Sequence, residues 1–487
     1  MTNETSLGVR VTHPDYDHHI DRWRIIRDVL AADCKRHLRD VGSTEPDKSY
    51  ATKRQKDYEK GAIFYNFTKR TLSGMVGSVM RKPAEIELAD KLEYLLDNCD
   101  GAGLSIEQQA QYLLKECDSI GRAGLLVDAP STAAATMAEQ NEGILNPRIL
   151  LYSAENIINW HTRSKGSAKI IDMVVLRETY EYPSENNEFC WLRGERFRVL
   201  EIVDGVYRQR VFTYNAYGEL FDDEQIIEPK VNNKSLNYIP FVFVGADNND
   251  ERIDTPPLDT LSDVNIGHYR NSADVEESGF ICSQPTLMIY PGQNMSPQQF
   301  QEANKDGIRI GSRTGHNLGY GGNAELLQAQ ESNLSLKLME QKEEQAVKIG
   351  AQLITPTQQI TAESARLQRG ADTSIMATIA VNVSDAYTKA INWCGEFFGD
   401  NSNDNELKLN MEFFLLPMTA QDRAAWMSDI NAGLLPARAY YAALRQAGAT
   451  DWTDEKIEDG LDAQTPAPAP QLNTSVTGDI PVSENNE

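Results

Sequence analysis

The chain has 487 residues, of which 40% are hydrophobic and 8% aromatic, so it is long enough for several structural units and has the composition of a folded globular protein. It carries 72 Asp and Glu against 47 Lys and Arg, and this net charge of −25 argues against a protein that wraps tightly around nucleic acid. No window holds 18 consecutive apolar residues and the first residues lack an apolar leader segment, so we expect neither a membrane span nor a signal peptide.

Four helices are predicted at the start of the chain, over residues 16–40, 55–81, 87–98 and 106–121. Residues 1–82 are locally basic, with 16 Lys and Arg against 11 Asp and Glu, which indicates a solvated face or a contact with another subunit. A short strand is predicted over 124–130. Residues 148–246 then alternate β-branched and aromatic runs with Asn, Gly, Asp and Pro, which predicts a mostly antiparallel β-domain.

Helices return in the second half of the chain. The predicted elements are a helix over 258–280, a Gly/Pro/Asn-rich segment over 284–323 with strands "TLMIY" and "IRI", long helices over 325–353 and 361–398, a strand over 406–417, and short helices over 419–431 and 436–446. The second half of helix 361–398 should bury one face, which is formed by Ile375, Ile379, Val383, Ala386, Ala390, Trp393 and Phe397. The Pro-rich, polar residues 461–487 are predicted to be disordered.

Catalytic and metal-binding patterns are weak. There is no G-x-x-x-x-G-K-[ST], G-x-S-x-G or H-E-x-x-H motif, and the six cysteines form no C-x-x-C pair, which favours free thiols in a reducing cytoplasm. "GYGGNA" at Gly319–Ala324 matches a dinucleotide fingerprint but lacks a strand before it, so a flexible turn is favoured. "HPDYDHH" at His13–His19 is better explained as a solvated segment than as a metal site. Four carboxylates flank structural transitions without a partner base, and none is assigned catalysis: Asp118, Asp128, Asp259 and Asp263.

A neutral segment stands out in this acidic chain. Residues 350–362 contain no charged side chain, and the first charges after them are Glu363, Arg366 and Arg369. The segment "LITPTQQITAESARLQRG" connects the two long predicted helices, so its neutrality requires an explanation.

The order of the predicted elements resembles the portal proteins of tailed double-stranded DNA bacteriophages, in the class with a portal-like domain of formerly unknown function. The resemblance spans residues 10–460, and no single motif in it is highly specific. The stretches that carry it are "FYNFTKRTLSGMVGSVMRKP" (64–83), "DSIGRAGLLVDAP" (118–130), "YSAENIINW" (152–160), "IPFVFVGADN" (239–248), "PPLDTLSDVNIGHYRNSADVEESGF" (256–280), "TAESARLQRGADTSIMATIA" (361–380) and "MTAQDRAAWMSDINAGLLP" (418–436).

This resemblance implies an α+β portal fold in a ring of twelve subunits at one capsid vertex. It implies a wing over 1–250 that is completed by strand 406–417, stem helices over 257–281 and 325–353, a clip over 284–323, a tunnel loop over 354–360, a channel-lining helix over 361–398, a crown over 418–460 and a disordered tail over 461–487. The glycine-rich part of the clip does not align confidently with other portal clips.

The implied function is a non-enzymatic channel, without cofactor or metal, through which double-stranded DNA is packaged and later ejected. The implied partners are the terminase large subunit, the major capsid and scaffolding proteins, and head–tail adaptor proteins, with no membrane. The implied location is the virion, after assembly in the host bacterial cytoplasm. The alternatives are a different phage head or tail structural protein, and a nucleotide-binding enzyme that uses "GYGGNA".

The residues expected to face DNA in the tunnel loop are Thr355, Thr357, Gln358, Gln359 and Thr361. Neutral amides and hydroxyls form hydrogen bonds with DNA that break easily, which suits a conduit that must not grip its cargo. Arg366 and Arg369 lie three residues apart on one helix face and are expected to face DNA or a neighbouring subunit. Alternatively, Glu363 pairs with Arg366 in an ordinary first turn that Thr361 caps.

Overall fold

The computed structural model divides the chain into two compact units, Met1–Met411 and Glu412–Glu487. Both helices and sheets are present, so the predicted α+β class is confirmed. Among the described residues, no helix combines the length and apolar character needed to cross a bilayer. The described residues are 8–43, 45–129, 146–184, 187–214, 220–222, 226–231, 234–284, 286–305, 307–308, 316–329, 333–354, 362–400, 402, 404–411, 413, 420–446, 448–450 and 452–462.

The first unit begins with four α-helices. They are α1 (Pro14–Ala31), α2 (Lys48–Gly61), α3 (Phe67–Val79) and α4 (Ile106–Ile120). Helix α1 ends earlier than predicted because Ala32 adopts a left-handed φ of 60° and its N–H bonds to the carbonyls of the last turn. Helix α4 matches its prediction, since Ser105 and Gln108 form a capping box and Gly121 closes the helix at φ 76°. The helix predicted over 87–98 is only a 3-10 segment, Asp90–Leu96.

The predicted helix 55–81 is wrong, because residues 62–66 separate α2 from α3. The Asn66 side chain accepts a hydrogen bond from the Lys69 N–H at 2.8 Å and caps α3, while its amide donates to the Val29 carbonyl at 2.7 Å. The Ile63 N–H also donates to the Ser272 hydroxyl at 2.9 Å. Tertiary hydrogen bonds therefore hold this break.

Two antiparallel sheets follow, in agreement with the predicted β-domain. The first has three strands in the order β11–β2–β3, with every residue of the central β2 buried. Its strands are β2 (Arg122–Asp128), β3 (Arg148–Ser153) and β11 (Phe241–Gly245). The second has five strands in sequential order: β4 (Ile157–Lys165), β5 (Ala168–Ser184), β6 (Asn187–Val203), β7 (Val206–Tyr214) and β8 (Leu220–Asp222). A small pair is formed by β9 (Lys230–Val231) and β10 (Lys234–Ser235).

Strands β5 and β6 extend beyond their neighbours. Strand β4 pairs with β5 only as far as Leu176, and β7 pairs with β6 only from Arg196 onward. Residues 177–184 and 187–195 therefore form a two-stranded ribbon that projects from the sheet. We call this segment the outer ribbon.

A single large hydrophobic cluster joins α1 to both sheets. Trp23 and Ile26 of α1 are fully buried, and they belong to the same cluster as Leu126 of β2 and Phe241 of β11. Each fully buried side chain of this kind contributes about 1.5–3 kcal/mol. The cluster therefore holds the N-terminal helix on the β-domain.

The next part of the unit consists of two long helices joined by a β-hairpin. Helix α5 (Asp259–Cys282) matches its prediction, and α7 (Leu334–Ile354) begins later than predicted because residues 323–327 form a strand. This strand, β13 (Asn323–Leu327), pairs antiparallel with β12 (Thr286–Tyr290), and the short α6 (Pro297–Ala303) lies between them in sequence. The predicted strand "IRI" extends outside the described residues.

Helix α8 (Ala362–Phe397) closes the unit. The predicted stripe is buried from Ile379 to Trp393, whereas Ile375 is exposed and Phe397 is half-buried. Strand β14 (Glu406–Lys408) is shorter than the predicted 406–417 within the described residues, and it pairs antiparallel with β1 (Glu85–Glu87).

The described part of the second unit contains three short helices. Two were predicted, α9 (Ala420–Asn431) and α10 (Ala437–Gln446), and α11 (Asp454–Asp462) was not. Arg438 binds the Glu458 carboxylate at 2.8 Å and Arg445 binds that of Asp454 at 2.6 Å, so ion pairs connect α10 to α11. The predicted disordered tail lies outside the described residues beyond Asp462.

Candidate functional site

The histidine-rich segment forms no metal centre in the described part of the chain. His13 caps α1 by accepting the Asp15 N–H at 3.1 Å, and its ring stacks on Trp160 with centroids 4.0 Å apart. Burial lowers the pKa of His13. No three His, Cys, Asp or Glu side chains among the described residues come close enough together to hold a metal ion.

Three of the four carboxylates that flank structural transitions form ion pairs with arginines. Asp259 and Asp263 both bind Arg22 of α1, with the Asp263 oxygen 2.7 Å from the guanidinium. Asp128 lies 3.0 Å from the Arg148 guanidinium and is also paired with a second arginine. These three side chains are ion-paired links between elements rather than a set of catalytic acids and bases.

Asp118 differs from the other three carboxylates. It is fully buried on α4, and neither carboxylate oxygen has a hydrogen-bond partner among the described residues. Burial raises the pKa of Asp118 to about 8. No charged group among the described residues contributes to this shift, so nothing described pairs with Asp118 as an acid or base.

The glycine-rich turn does not have the structure of a dinucleotide site. Gly319 and Gly321 adopt left-handed φ angles of 79° and 73°, and the chain then enters strand β13 rather than a helix. The helix predicted from residue 325 therefore does not follow this motif directly, and begins only at Leu334. Without a helix N-terminus, the turn lacks the backbone N–H groups that would hold a pyrophosphate.

One cleft of about 430 Å³ lies between the two sheets' edges and the loop that follows β11. Lys169 and Glu251 in its lining form an ion pair at 2.5 Å. The lining contains no serine, cysteine or histidine among the described residues. Among its described residues the cleft therefore lacks a serine or cysteine nucleophile paired with histidine.

The antiparallel pair formed by α5 and α7 is the more informative feature. The end of α5 lies near the residues before α7, because the Gln328 amide donates to the Cys282 carbonyl at 2.9 Å. In the middle of the pair, the buried His268 lies 2.9 Å from the Glu343 carboxylate, and Tyr65 and Phe67 pack edge-on against the His268 ring.

Glycines allow close packing around α7. A Cβ atom at Gly267 would lie 2.5 Å from the Lys342 side chain, and one at Gly350 would lie 2.8 Å from the Thr71 hydroxyl. Helix α7 therefore lies tightly between α5 and α3.

Helix α5 is also fixed to the basic N-terminal helices. The Tyr58 hydroxyl donates to the Asp274 carboxylate at 2.7 Å, and Arg54 binds Glu277 at 2.8 Å. Arg39 lies 2.9 Å from Asp274. These contacts use charges on α2 and the preceding loop to hold α5, so part of the basic N-terminal character is structural.

Exposed apolar side chains are concentrated between the end of α5 and the middle of α7. They lie on the β-hairpin, on the turn before β13 and along α7. Tyr320 is 90% exposed and Leu327 is 64% exposed. The large exposed side chains of this segment are Phe280, Ile281, Met288, Tyr290, Ile308, Tyr320, Leu326, Leu327, Leu334, Leu336, Leu338 and Val347. Exposed apolar side chains in this number along one segment are typical of a surface that binds another protein.

Helix α8 is anchored at one end. The Tyr387 hydroxyl donates to Gln109 of α4 at 3.1 Å, and the Asn382 amide donates to the Gly245 carbonyl of β11 at 3.0 Å. The second half of the helix is therefore fixed in the protein core.

The predicted DNA-facing residues receive no structural description. Thr355, Thr357, Gln358, Gln359 and Thr361 lie outside the described residues, as does the alternative N-cap role of Thr361. Arg366 and Arg369 lie on the helical backbone of α8, and their side chains are not described. The sequence did not predict the exposed apolar surface, although the "TLMIY" strand and "LSLKL" were visible signals of it.

Comparison with known proteins gives limited similarity. The family model described as "Domain of unknown function (DUF4055)" matches residues 257–398, which run from α5 to α8. No curated protein matches the chain.

Three solved structures illustrate the similarity at the level of structure. "Virion of native gene transfer agent (GTA) particle" is 13% identical, covers 79% of this chain and 90% of the other, and has a TM-score of 0.39. "Neck of native GTA particle computed with C12 symmetry" is 14% identical over 76% and 87% of the two chains, with a TM-score of 0.38. An HK97 family phage portal protein from Corynebacterium diphtheriae is 9% identical over 71% and 92%, with a TM-score of 0.30.

Proposed function

We propose that the chain is one subunit of a portal: a ring at one capsid vertex through which double-stranded DNA is packaged and later ejected. The observation that carries this proposal is the uncovered apolar surface between residues 280 and 347, on an antiparallel helix pair that is firmly fixed at its base. An isolated subunit would expose this surface to water. A ring covers it, because each subunit in a cyclic assembly presents two different faces to its two neighbours.

The proposed regions follow the order of the elements. Helices α5 and α7 form the stem, the β12–β13 segment forms the clip, and α8 lines the channel beyond the tunnel loop. The N-terminal helices and the two sheets form the wing, and the second unit forms the crown. We propose twelve subunits per ring.

The channel is proposed to be a low-friction conduit. The acidic chain limits phosphate binding, and a neutral loop at residues 354–360 avoids a ring of strong phosphate contacts. Arg366 and Arg369 are proposed to face either the DNA or the neighbouring subunit just beyond that loop.

The proposed partners dock on the outside of this ring. They are the terminase large subunit during packaging, head–tail adaptor proteins afterwards, and the major capsid and scaffolding proteins around the wing. The protein is proposed to act in the virion without catalysis, cofactor or metal, after assembly in the host cytoplasm.

Negative-stain electron microscopy of the purified chain tests this function. We expect rings with a central hole, and we expect Leu326→Ser/Leu327→Ser to reduce the fraction of chains in rings at equal concentration. The matched control is Leu461→Ser, an exposed leucine in the second unit. A compact monomer or an extended fibre would contradict the portal proposal and favour a different head or tail component. Tight nucleotide binding measured by calorimetry, and lost in Gly321→Ala, would instead support the nucleotide-binding enzyme.

A further inference from the structure

The outer ribbon exposes more aromatic surface than its position in the sheet explains. Phe189 is 85% exposed and Trp191 is 62% exposed, and both lie near the tip. Tyr182 and Leu192 are also exposed. Aromatic side chains bury large areas in partner interfaces and are frequent energetic anchors there.

Both faces of the outer ribbon carry these groups. Tyr182 lies opposite Leu192 on one face, and Pro183 lies opposite Trp191 on the other. No further strand pairs with either edge of the ribbon among the described residues. A two-stranded ribbon is only marginally stable alone in water, so one that also exposes aromatics is suited to docking on another surface.

The ribbon has a defined charge. Residues 177–195 contain five acidic and two basic side chains. One of the acidic groups, Glu188, is exposed beside Phe189. Two others are already paired: Glu181 with Arg193 at 3.0 Å, and Glu178 with two arginines at the base of the ribbon. A partner for this ribbon should therefore combine apolar contact area with positive charge.

Helix α2 of the same chain offers the complementary surface. It contains five basic and two acidic side chains. Lys53, Lys56 and Lys60 are exposed and form no ion pair with any described carboxylate, and Tyr50 on the same helix is 56% exposed. Their spacing places these four side chains along one face of the helix, which also carries the exposed Asp57.

The opposite side of α2 is already occupied. Tyr58 and Arg54 bind Asp274 and Glu277 of α5, so α2 is held firmly while its lysine face points away from these contacts. The lysine face is thus a rigid, basic and partly aromatic surface without a described partner.

We propose that the outer ribbon of one subunit packs on the lysine face of α2 in the adjacent copy. This inference rests on the proposed ring, in which each subunit must supply two different surfaces to its neighbours. Phe189 and Trp191 are the anchors on Tyr50 and the lysine stems, and Glu188 pairs with Lys53 or Lys56. A second copy is favoured over another protein because the chain itself carries surfaces of opposite charge and matching apolar character.

Weakening the anchors tests the contact. Phe189→Ser/Trp191→Ser is expected to raise the concentration at which half of the chains are assembled by at least tenfold, measured by mass photometry or analytical ultracentrifugation. Tyr112→Ser, which removes an aromatic of 49% exposure on α4, is the matched control and should assemble like the wild type. Circular dichroism should show that the ribbon variant is folded, since both of its altered side chains are exposed.

Cross-linking tests the geometry directly. Cys190 is exposed and lies between the two anchors in sequence, Cys282 is half-buried, and Cys34, Cys99, Cys117 and Cys394 are buried. In Lys56→Cys/Cys282→Ser, a bismaleimide with a spacer long enough to pass from one face of the ribbon to the other should join adjacent subunits into a ladder on a denaturing gel. Cys190→Ser in the same background should abolish the ladder, and Lys234→Cys/Cys282→Ser should give none.

The outcomes separate the two proposals. Wild-type rings with unchanged assembly of Phe189→Ser/Trp191→Ser, or with no ladder from Lys56→Cys/Cys282→Ser, would overturn the ribbon contact while the ring stands. A wild-type chain that forms no ring would overturn both proposals.

Discussion

Asp118 is the side chain whose environment conflicts most with its chemistry. A carboxylate that is fully buried without a hydrogen-bond partner among the described residues is strongly disfavoured in its charged form. Burial accordingly raises its pKa from an ordinary 3.8 to about 8. The folded unit therefore binds a proton at neutral pH that the unfolded chain does not.

The Asp118→Asn variant should separate this effect from the rest of the protein. Between pH 4 and 8 the folded state binds more protons at this position than the unfolded state does. The contribution of this proton to the free energy of unfolding is therefore fully present below the unfolded pKa and is lost as pH rises through the folded pKa. Across that range this group should lower the free energy of unfolding of the wild type by about 1.4 kcal/mol per pH unit, and we expect this dependence to disappear in Asp118→Asn. Urea unfolding at pH 5 and pH 7.5 measures it.

The control for this prediction is Asp204→Asn, at an exposed turn where a φ of 54° suits asparagine as well as aspartate. It should retain the wild-type dependence on pH. If Asp118→Asn also retained that dependence, the proposed protonation of Asp118 would be wrong.

At the scale of elements, the position of α7 depends on small residues at its contacts. A Cβ atom at Gly350 would lie 2.8 Å from the Thr71 hydroxyl of α3, so any side chain at this position requires a shift in the packing there. Tight helix packing of this kind leaves little room for adjustment, because protein interiors are close-packed.

We expect Gly350→Leu to destabilise the first unit by about 1–3 kcal/mol, since overpacking costs that much where neighbours cannot relax. Gly279→Leu on α5 is the matched control, because a Cβ atom there meets nothing within 4 Å. The control should be neutral or stabilising by up to ~1 kcal/mol, because leucine is a better helix former than glycine. Thermal unfolding followed by circular dichroism compares the two. Equal melting temperatures would show that α7 adjusts freely.

The sequence predicted elements well where the signal was local. Helix α4 has its capping box and closing glycine within its own sequence, and α5 has a continuous helical pattern after two prolines. The break at residues 62–66 was missed because Asn66 and Ile63 are held by α1 and α5, which are distant in sequence. Strand β13 was missed for a similar reason, since its partner β12 lies more than thirty residues earlier.

The candidate site was less predictable than the fold. Exposed apolar residues such as Leu327 have the sequence of an ordinary core strand, and only the absence of a covering layer distinguishes them. The outer ribbon was likewise not predicted, although the β-domain that contains it was. The ribbon exists because two strands are longer than their neighbours, and the sequence of one strand does not show the length of the next. The DNA-facing role of Gln358 and Gln359 remains a prediction from the sequence.

At the scale of the whole molecule, the neutral loop is proposed to be the point where the ring meets its cargo. Gln358→Glu/Gln359→Glu adds two negative charges per subunit, and a ring repeats them around a narrow channel. We expect ring assembly to be unaffected and DNA packaging or retention to fall, because repulsion between the loop and phosphate opposes transit. The measurement is the fraction of filled heads by electron microscopy.

The neutral variant Gln358→Asn/Gln359→Asn is the control and should fill heads normally. Normal, full heads from the glutamate variant would contradict the assignment of this loop to the DNA path.

The pairing of β1 with β14 has a consequence for biosynthesis. These strands lie about 320 residues apart, and at roughly 5–20 residues per second a ribosome needs about 16–64 s to connect them. For most of that interval, Gln109 and the apolar residues beside it on α4 lack the contact with Tyr387 of α8 that completes their packing. The nascent chain therefore carries an unfinished hydrophobic surface for most of its translation. We expect the nascent chain to depend on chaperones that bind unfolded segments until α8 leaves the ribosome. This dependence should be greater than that of a protein whose fold is completed by local contacts.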